Sequence, residues 1–184
     1  KEIALETKEI FVPLAHRLGM ANLKWRFEDL TLKCLNLKSY NSIKKKIEGS
    51  SQLNKNILET TIAPVKKELD SYKIHSDISG RYKSISSINR KIEIRGKKFE
   101  EIYDLYAIRI VVDKIEECYL ALGVIHSIYP PVQDRFKDFI AMPKTNGYQS
   151  IHTTVMTKDN RLTEVQIRTK EMDYTAEVGV AAHW

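Results

Sequence analysis

Residues 143–152, "PKTNGYQSIH", bring a lysine, an Asn-Gly pair, a tyrosine and a histidine into one short stretch. Asn146-Gly147 suits a tight turn that delivers Tyr148 to the start of a strand. Alternation along that strand returns His152 to the face of Tyr148. Lys144 can reach a phosphate or a base carbonyl, and the Tyr148 ring can take a stacked base. An aromatic platform beside cationic donors suits a purine nucleotide, with stacking contributing about 1–3 kcal/mol. Just upstream, Arg135 and Lys137 add positive charge. The plainer reading is a buried strand tyrosine with a solvated lysine.

A second group lies in "GRYKSISSINRK". A glycine closes a strand, Arg81 and Lys83 follow, and a serine-rich helix opens after Ser84. Helix N-termini attract phosphate through unpaired N–H groups and the positive end of the dipole. Lys83, Ser87 and Lys91 stand four apart and share one face if helical geometry reaches back to Lys83. A row of lysine, hydroxyl and lysine suits a polyphosphate, although G-x-x-x-x-G-K-[ST] is absent. A solvated basic helix face is the competing reading.

A third group is acidic. In "RLTEVQIR" alternation sets Thr163, Val165 and Ile167 on one face and Glu164, Gln166 and Arg168 on the other. Asp104 stands just before the strand "LYAIRIVV", where Tyr106, Ile108, Ile110 and Val112 form an apolar row. If the two strands are neighbours, Asp104 and Glu164 can converge. Paired carboxylates are what a hard divalent cation needs, and Mg²⁺ commonly completes its shell with substrate phosphates. A capping aspartate and an unrelated surface glutamate would look the same. Taken together, the three groups describe two nucleotides flanking a cation, a site for phosphoryl or pyrophosphoryl transfer.

The elements that must position these groups fall into two halves. Helical periodicity runs through "ALETKEIFVPLAHRLGM", stops at Gly19, and restarts after Asn22, a candidate N-cap, in "NLKWRFEDLTLKCLNL". It continues in "SYNSIKKKIEG" and "QLNKNILETTIAPVKKELDSY", separated by Gly49-Ser50-Ser51; Pro64 should bend or split the last helix. From residue 74 the period changes. A strand ending at Gly80, a helix with Ile85, Ile88 and Ile92 on one side, the strand "LYAIRIVV" and the helix "KIEECYLALGVIHSIY" follow in turn. After a Pro-Pro loop and "RFKDFI", two strands flank a turn at Lys158-Asp159-Asn160, and "KEMDYTAEVGVAAHW" closes as a helix. The pattern predicts an α/β (α+β) domain with a mixed sheet behind a helical lead-in, the boundary falling in residues 50–75.

The chain has 184 residues, 42% of them hydrophobic, and a net charge of +6. That balance favours an anionic partner without choosing between nucleic acid, nucleotide and acidic membrane. No apolar run approaches the roughly 20 residues of a membrane helix, so no membrane partner is expected. Cys34 and Cys118 sit in apolar-periodic segments without C-x-x-C spacing and are expected to be reduced, buried thiols of a cytoplasmic protein. The five histidines are scattered, so a zinc site is not expected. The chain opens on Lys1 with no charged-then-apolar leader, which reads as a piece of a longer protein without a secretory signal.

The segments "GRYKSISSINRK", "EIYDLYAIRIVV", "RFKDFIAMPKTNGYQSIHTTV", "TEVQIRTKEM" and "AEVGVAAHW" resemble, in order, the signatures of the RelA/SpoT family of (p)ppGpp synthetases and hydrolases of the bacterial stringent response. "ETKEIFVPLAHRLGMANLKWRFEDL" is similar to the helical segment those proteins place between hydrolase and synthetase domains. The resemblance implies a nucleotidyltransferase-like fold, with residues 1–50 as helical linker and 51–184 as synthetase domain. It implies transfer of the β,γ-pyrophosphoryl group of ATP to the 3′-hydroxyl of GTP or GDP, with Mg²⁺. Arg81 and Arg109 would sandwich adenine, and Lys83, Ser87 and Lys91 would hold the ATP phosphates. Asp104 would bind Mg²⁺, with Glu164 as a second ligand or as base on the 3′-hydroxyl. Tyr148 would stack on guanine, with Lys144, Asn146, His152, Lys137 and Gln166 around the acceptor.

"RFKD", residues 135–138, resembles the basic form of its motif found in bifunctional members, which implies a parent that has or had a hydrolase domain. Ribosome contact would run only through regulatory domains that this chain does not include. The family usually has Pro, His and Tyr where this chain has Tyr82, Ser84 and Ser86, so a less rigid loop and altered ATP affinity are expected. A non-catalytic nucleotide- or RNA-binding module is the second reading. A polymerase-like nucleotidyltransferase would want a D-x-D pair on one strand, which is absent.

Overall fold

A computed structural model describes residues 1–49, 51–96 and 106–179. Its centre is a five-stranded mixed sheet of β1 (Ser76–Tyr82), β2 (Tyr106–Val112), β3 (Lys137–Asp138), β4 (Ile151–Met156) and β5 (Leu162–Thr169), in the order β1-β2-β5-β4-β3. β2 and β5 run parallel, and the other neighbours pair antiparallel. Alternation decides the two faces. Ile108, Ile110, Val165, Ile167, Ile151 and Val155 join one buried apolar cluster. Helices α5 (Ser51–Ser71) and α7 (Ile115–Ile128) cover that face, supplying Val65, Leu69, Cys118, Ala121 and Ile125.

The other face carries most of the candidate polar residues on the strands. Its register sets Arg81, Ala107, Glu164 and Thr154 in one row across four strands. The next row runs Ser79, Arg109, Gln166, His152 and Lys137 across all five. Two short strips of sheet therefore hold six of the candidate site residues. α8 (Lys170–Val178) turns back beside this face, its start capped by Thr169 Oγ1, which accepts from Met172 N at 3.2 Å.

The lead-in is helical as expected: α1 (Glu2–Glu6), a π-helical turn (Thr7–Phe11), α2 (Val12–Arg17), α3 (Ala21–Leu35) and α4 (Leu37–Gly49). The π-turn sits just before Pro13, where a missing N–H disturbs the regular ladder. α4 packs on α6 (Ile85–Arg95) through Ile43 and Ile88, with Ile85 and Ile92 against them, which is the apolar side anticipated for that helix.

Four local expectations need correction. α3 starts at Ala21, so Asn22 is not its N-cap; its side chain crosses instead to Glu177. Pro64 does not split α5, which runs unbroken from Ser51 to Ser71. Tyr129 Oη donates to the Thr61 carbonyl beside the disturbed turn and pins that turn to the core. β1 continues past Gly80 to Tyr82, and the glycine serves packing, since a Cβ there would come within 2.6 Å of Leu58 Cδ1. Cys34 is exposed, while Cys118 is buried; both are free thiols.

Candidate active site

Glu164 is the hub of the site. Lys83 Nζ pairs with its Oε2 at 2.8 Å, Gln166 Nε2 donates to Oε1 at 3.1 Å, and His152 Nδ1 lies 3.5 Å from the same oxygen. The His152 hydrogen bond and the Lys83 charge hold its carboxyl far below the usual carboxylate range, against the opposing cost of burial. β5 places Glu164 and Gln166 two residues apart on one face, and β4 brings His152 directly opposite Gln166. Strand period and register thus assemble three polar groups from two strands, with a fourth, Lys83, reaching in from the β1–α6 connection.

The acceptor-side candidates form one continuous arrangement. Gly147 takes φ +76°, the left-handed turn conformation expected of it, and its N–H donates to the Lys144 carbonyl at 2.9 Å. Asn146 Oδ1 accepts from Tyr148 N at 3.3 Å. Tyr148 Oη lies 2.7 Å from His152 Nε2, so the two do share a face, although regular pairing in β4 begins only at Ile151. Lys144 Nζ sits 5.0 Å from the Tyr148 ring centre. Burial, and then the neighbouring Lys137 charge, lowers the Lys144 pKa. Phe139, not singled out from sequence, meets the Tyr148 and His152 rings edge to face at 6.1 and 5.3 Å and stiffens the platform.

On the opposite side, β1 and β2 carry Arg81 and Arg109. Arg109 is held by Glu177 at 3.0 Å and Asp173 at 3.3 Å. Arg81 lies with its guanidinium carbon 3.2 Å from the centre of a Trp25 ring. Burial, followed by the like charge of Arg109, draws the Arg81 pKa down to about 10. Arg168, read as part of a polar row, is in fact buried and paired with Asp173 at 2.6 Å.

α6 departs from the phosphate-seat expectation in two ways. Ser84 is the N-cap, with ψ 147°, so helical geometry does not reach back to Lys83, and only Ser87 and Lys91 share the helix face. The first N–H groups are also taken: Ser86 N donates to Asp29 Oδ1 at 2.8 Å and Ser87 N to Ser84 Oγ at 3.3 Å. Any phosphate grip here belongs to side chains rather than to the helix end. Ser84 and Ser86, two of the unusual residues in this loop, knit the cap together, with Ser84 Oγ 3.1 Å from Ser86 Oγ and 2.7 Å from Ser87 Oγ. The side chain of Tyr82, and Asp104 as a whole, lie outside the described residues. The strand that follows Asp104 and the strand of Glu164 are nevertheless neighbours as expected, with Ala107 level with Glu164.

Between these sides opens a cleft of about 530 Å³, lined by His16, Trp25, Lys144, Tyr148, His152 and Gln166 among others. Its lead-in residues, His16, Arg17, Lys24 and Trp25, were not predicted. Local periodicity marks them only as helix, and their role depends on how α2 and α3 dock. Among the described residues no group of three or more metal-ligating side chains gathers. Glu164 is nonetheless a hard oxygen donor of the kind Mg²⁺ takes, held ionised on the same sheet face as the cleft-lining Gln166. None of the helices described is long and apolar enough to cross a membrane.

Comparison with known proteins agrees with this geometry. Residues 80–184 match the region found in RelA / SpoT proteins. The chain is 44% identical over 181 residues to the bifunctional (p)ppGpp synthase/hydrolase RelA of Mycobacterium tuberculosis, covering 98% of this chain and 24% of that protein. It is 45% identical to a GTP pyrophosphokinase of Streptomyces antibioticus, covering 98% of this chain and 22% of the relative. The chain thus spans about a quarter of the length of these curated relatives. Among solved structures, small alarmone synthetase 2 of Bacillus subtilis superposes with a TM-score of 0.56 at 27% identity, covering 72% of this chain and 75% of that one. The helix-flanked mixed sheet is that of the synthetases, and the chain belongs to the RelA/SpoT family.

Proposed function

We propose that this chain is a (p)ppGpp synthetase domain, transferring the β,γ-pyrophosphoryl group of ATP to the 3′-hydroxyl of GTP or GDP and releasing AMP. The observation that carries the proposal is the strand order. Donor-side arginines stand on β1 and β2, the acceptor platform on β4 and the loop before it, and Glu164 on β5 between them. Adjacent strands lie about 4.8 Å apart, so the two seats are separated by roughly 10–14 Å. That spacing suits two nucleotides meeting at their reacting ends.

In this reading Arg81 and Arg109 hold adenine, and Lys83, Ser87 and Lys91 hold the triphosphate. Tyr148 stacks on guanine, with Lys137, Lys144, Asn146, His152 and Gln166 fixing the acceptor. The acceptor 3′-oxygen bonds to the β-phosphorus as the bridge to the α-phosphate breaks. Its proton leaves toward Glu164 or solvent, and the electron pair of the broken bond stays on AMP. Asp104 and Glu164 would hold Mg²⁺, which supplies charge neutralisation at the phosphates when bound. Residues 1–50 would be the linker to a hydrolase domain and 51–184 the synthetase domain. The reaction would run in the cytoplasm, and any ribosome contact would be made by regulatory domains elsewhere in the parent.

Incubation with ATP, GDP and magnesium should yield AMP and a more highly phosphorylated guanosine nucleotide, resolved by anion exchange. Glu164→Gln should abolish that product while sparing nucleotide binding; undiminished turnover would refute the role of Glu164. The second reading, a silent nucleotide-binding module, draws support from the two arginines being occupied by protein groups. Product formation by the native chain excludes it.

A further inference from the structure

α3 reaches the donor side with three residues on one face, Asn22, Trp25 and Asp29, spaced three and four apart. Each meets a different component. Asn22 Nδ2 donates to Glu177 Oε2 at 2.6 Å, and Glu177 Oε1 in turn holds Arg109 at 3.0 Å. Asp29 caps α6 through Ser86 N. Between them Arg81 sits over the Trp25 indole, its guanidinium carbon 3.2 Å from the ring centre. Trp25 lines the open cleft, whereas Arg81 does not. The indole thus touches both the cleft and this guanidinium.

An indole is a flat, bicyclic, electron-rich ring of about the dimensions of a purine, and a guanidinium stacks on either. Arg81 is crowded by Arg109 and Arg168, both of which oppose its charge. A guanidinium in that company gains from an aromatic face whether the face is supplied by ligand or by protein.

We propose that Trp25 occupies the donor-base subsite itself, standing in for adenine, so that ATP must displace it and Trp25 sets the affinity for the donor. The proposal rests on the reading of Arg81 and Arg109 as the clasp of the donor base. Asn22 and Asp29 anchor α3 on either side of the stack, so displacement needs only the indole to turn away while the helix stays docked.

The test is ATP binding by the chain without acceptor, measured by calorimetry. Trp25→Ala should bind ATP about tenfold more tightly than the parent, the scale of one cation–π stack, with Trp25→Phe in between. A packing role alone would leave affinity unchanged or weaken it, and either of those results overturns the proposal. A second readout uses the native side chain. The sequence has two tryptophans, so in Trp184→Phe the remaining fluorescence reports Trp25. Added ATP should shift its emission to the red and raise acrylamide quenching; unchanged emission at saturating ATP overturns displacement even where Trp25→Ala fails to fold. Arg81→Ala separates the two layers. If it loses ATP affinity while Trp25→Ala gains none, only the stand-in fails; if Arg81→Ala binds ATP as well as the parent, the clasp reading fails and takes the stand-in with it.

Discussion

Tyr148 shows how several neighbours can fix one side chain in place. Its hydroxyl is tied to His152, its edge meets Phe139, and Lys144 stands over its ring. A ring fixed in this way loses little further freedom when a base settles on it. Tyr148→Ala should therefore weaken GDP binding by about 1–3 kcal/mol, with ATP binding unchanged. Equal affinity for GDP in parent and variant, by titration, would remove Tyr148 from the acceptor seat. This residue was legible in the sequence because its determinants are local: the Asn-Gly turn sets its direction and the strand period sets its partner. Glu164 and Gln166 were legible for the same reason. Trp25 was not, because its partner Arg81 is 56 positions away and only the docking of α3 brings them together.

At the level of elements, the corner between α2 and α3 is tightly packed at its glycines. Gly179, just past α8, has φ +75°, and a Cβ there would collide with the Leu18 carbonyl oxygen and approach Gly19 C and Met20 N at 2.8 Å. A Cβ on Gly19, which has φ +72°, would sit 3.3 Å from the Asn146 carbonyl oxygen and 3.4 Å from Gly179 Cα, and Asn146 Nδ2 donates to the His16 carbonyl at 3.3 Å. Three backbones are stacked without side chains between them. Gly179→Ala should separate the corner from α8 and loosen the Asn146-Gly147 turn. We expect a melting point lower by several degrees, from a backbone cost of about 1–3 kcal/mol, and a raised KM for GDP at near-parent kcat. A variant with parent-like melting and KM would show that the corner does not brace the acceptor turn. The element ends were the poorest part of the sequence reading. β1 overran its glycine, and α5 ran through its proline, because close packing on Leu58 and the Tyr129 anchor outweigh local propensity.

For the whole molecule, the junction of α7 with the sheet carries a half-buried imidazole. His126 Nε2 lies 2.9 Å from Thr153 Oγ1, and burial lowers its pKa from the ordinary 6.5. The folded state thus favours neutral His126, while the unfolded chain protonates at the ordinary value. Stability from this group is complete above about pH 6.5 and falls as the pH drops below it, because the unfolded state then binds more protons. His126→Gln should melt below the parent at pH 8, with the gap narrowing toward pH 5. A constant gap across that range would show that His126 contributes packing alone. The mixed class of the sheet was legible from the change of period near residue 74. The strand order was not, since no local signal tells β2 that its partner lies beyond β4.

That order governs how the chain comes into being. The strand at the middle of the sheet is the last strand made, so a chain leaving the ribosome first holds two separate halves, β1 with β2 and β3 with β4. Each half shows a bare rim of unpaired amides and carbonyls until residues 162–169 emerge and zip them together, a long-range closure of the kind that makes folding slow and nascent chains sticky. Because that zipper strand also bears Glu164, a half-translated chain has neither a finished core nor the carboxylate proposed for its centre, and both arrive in the same step.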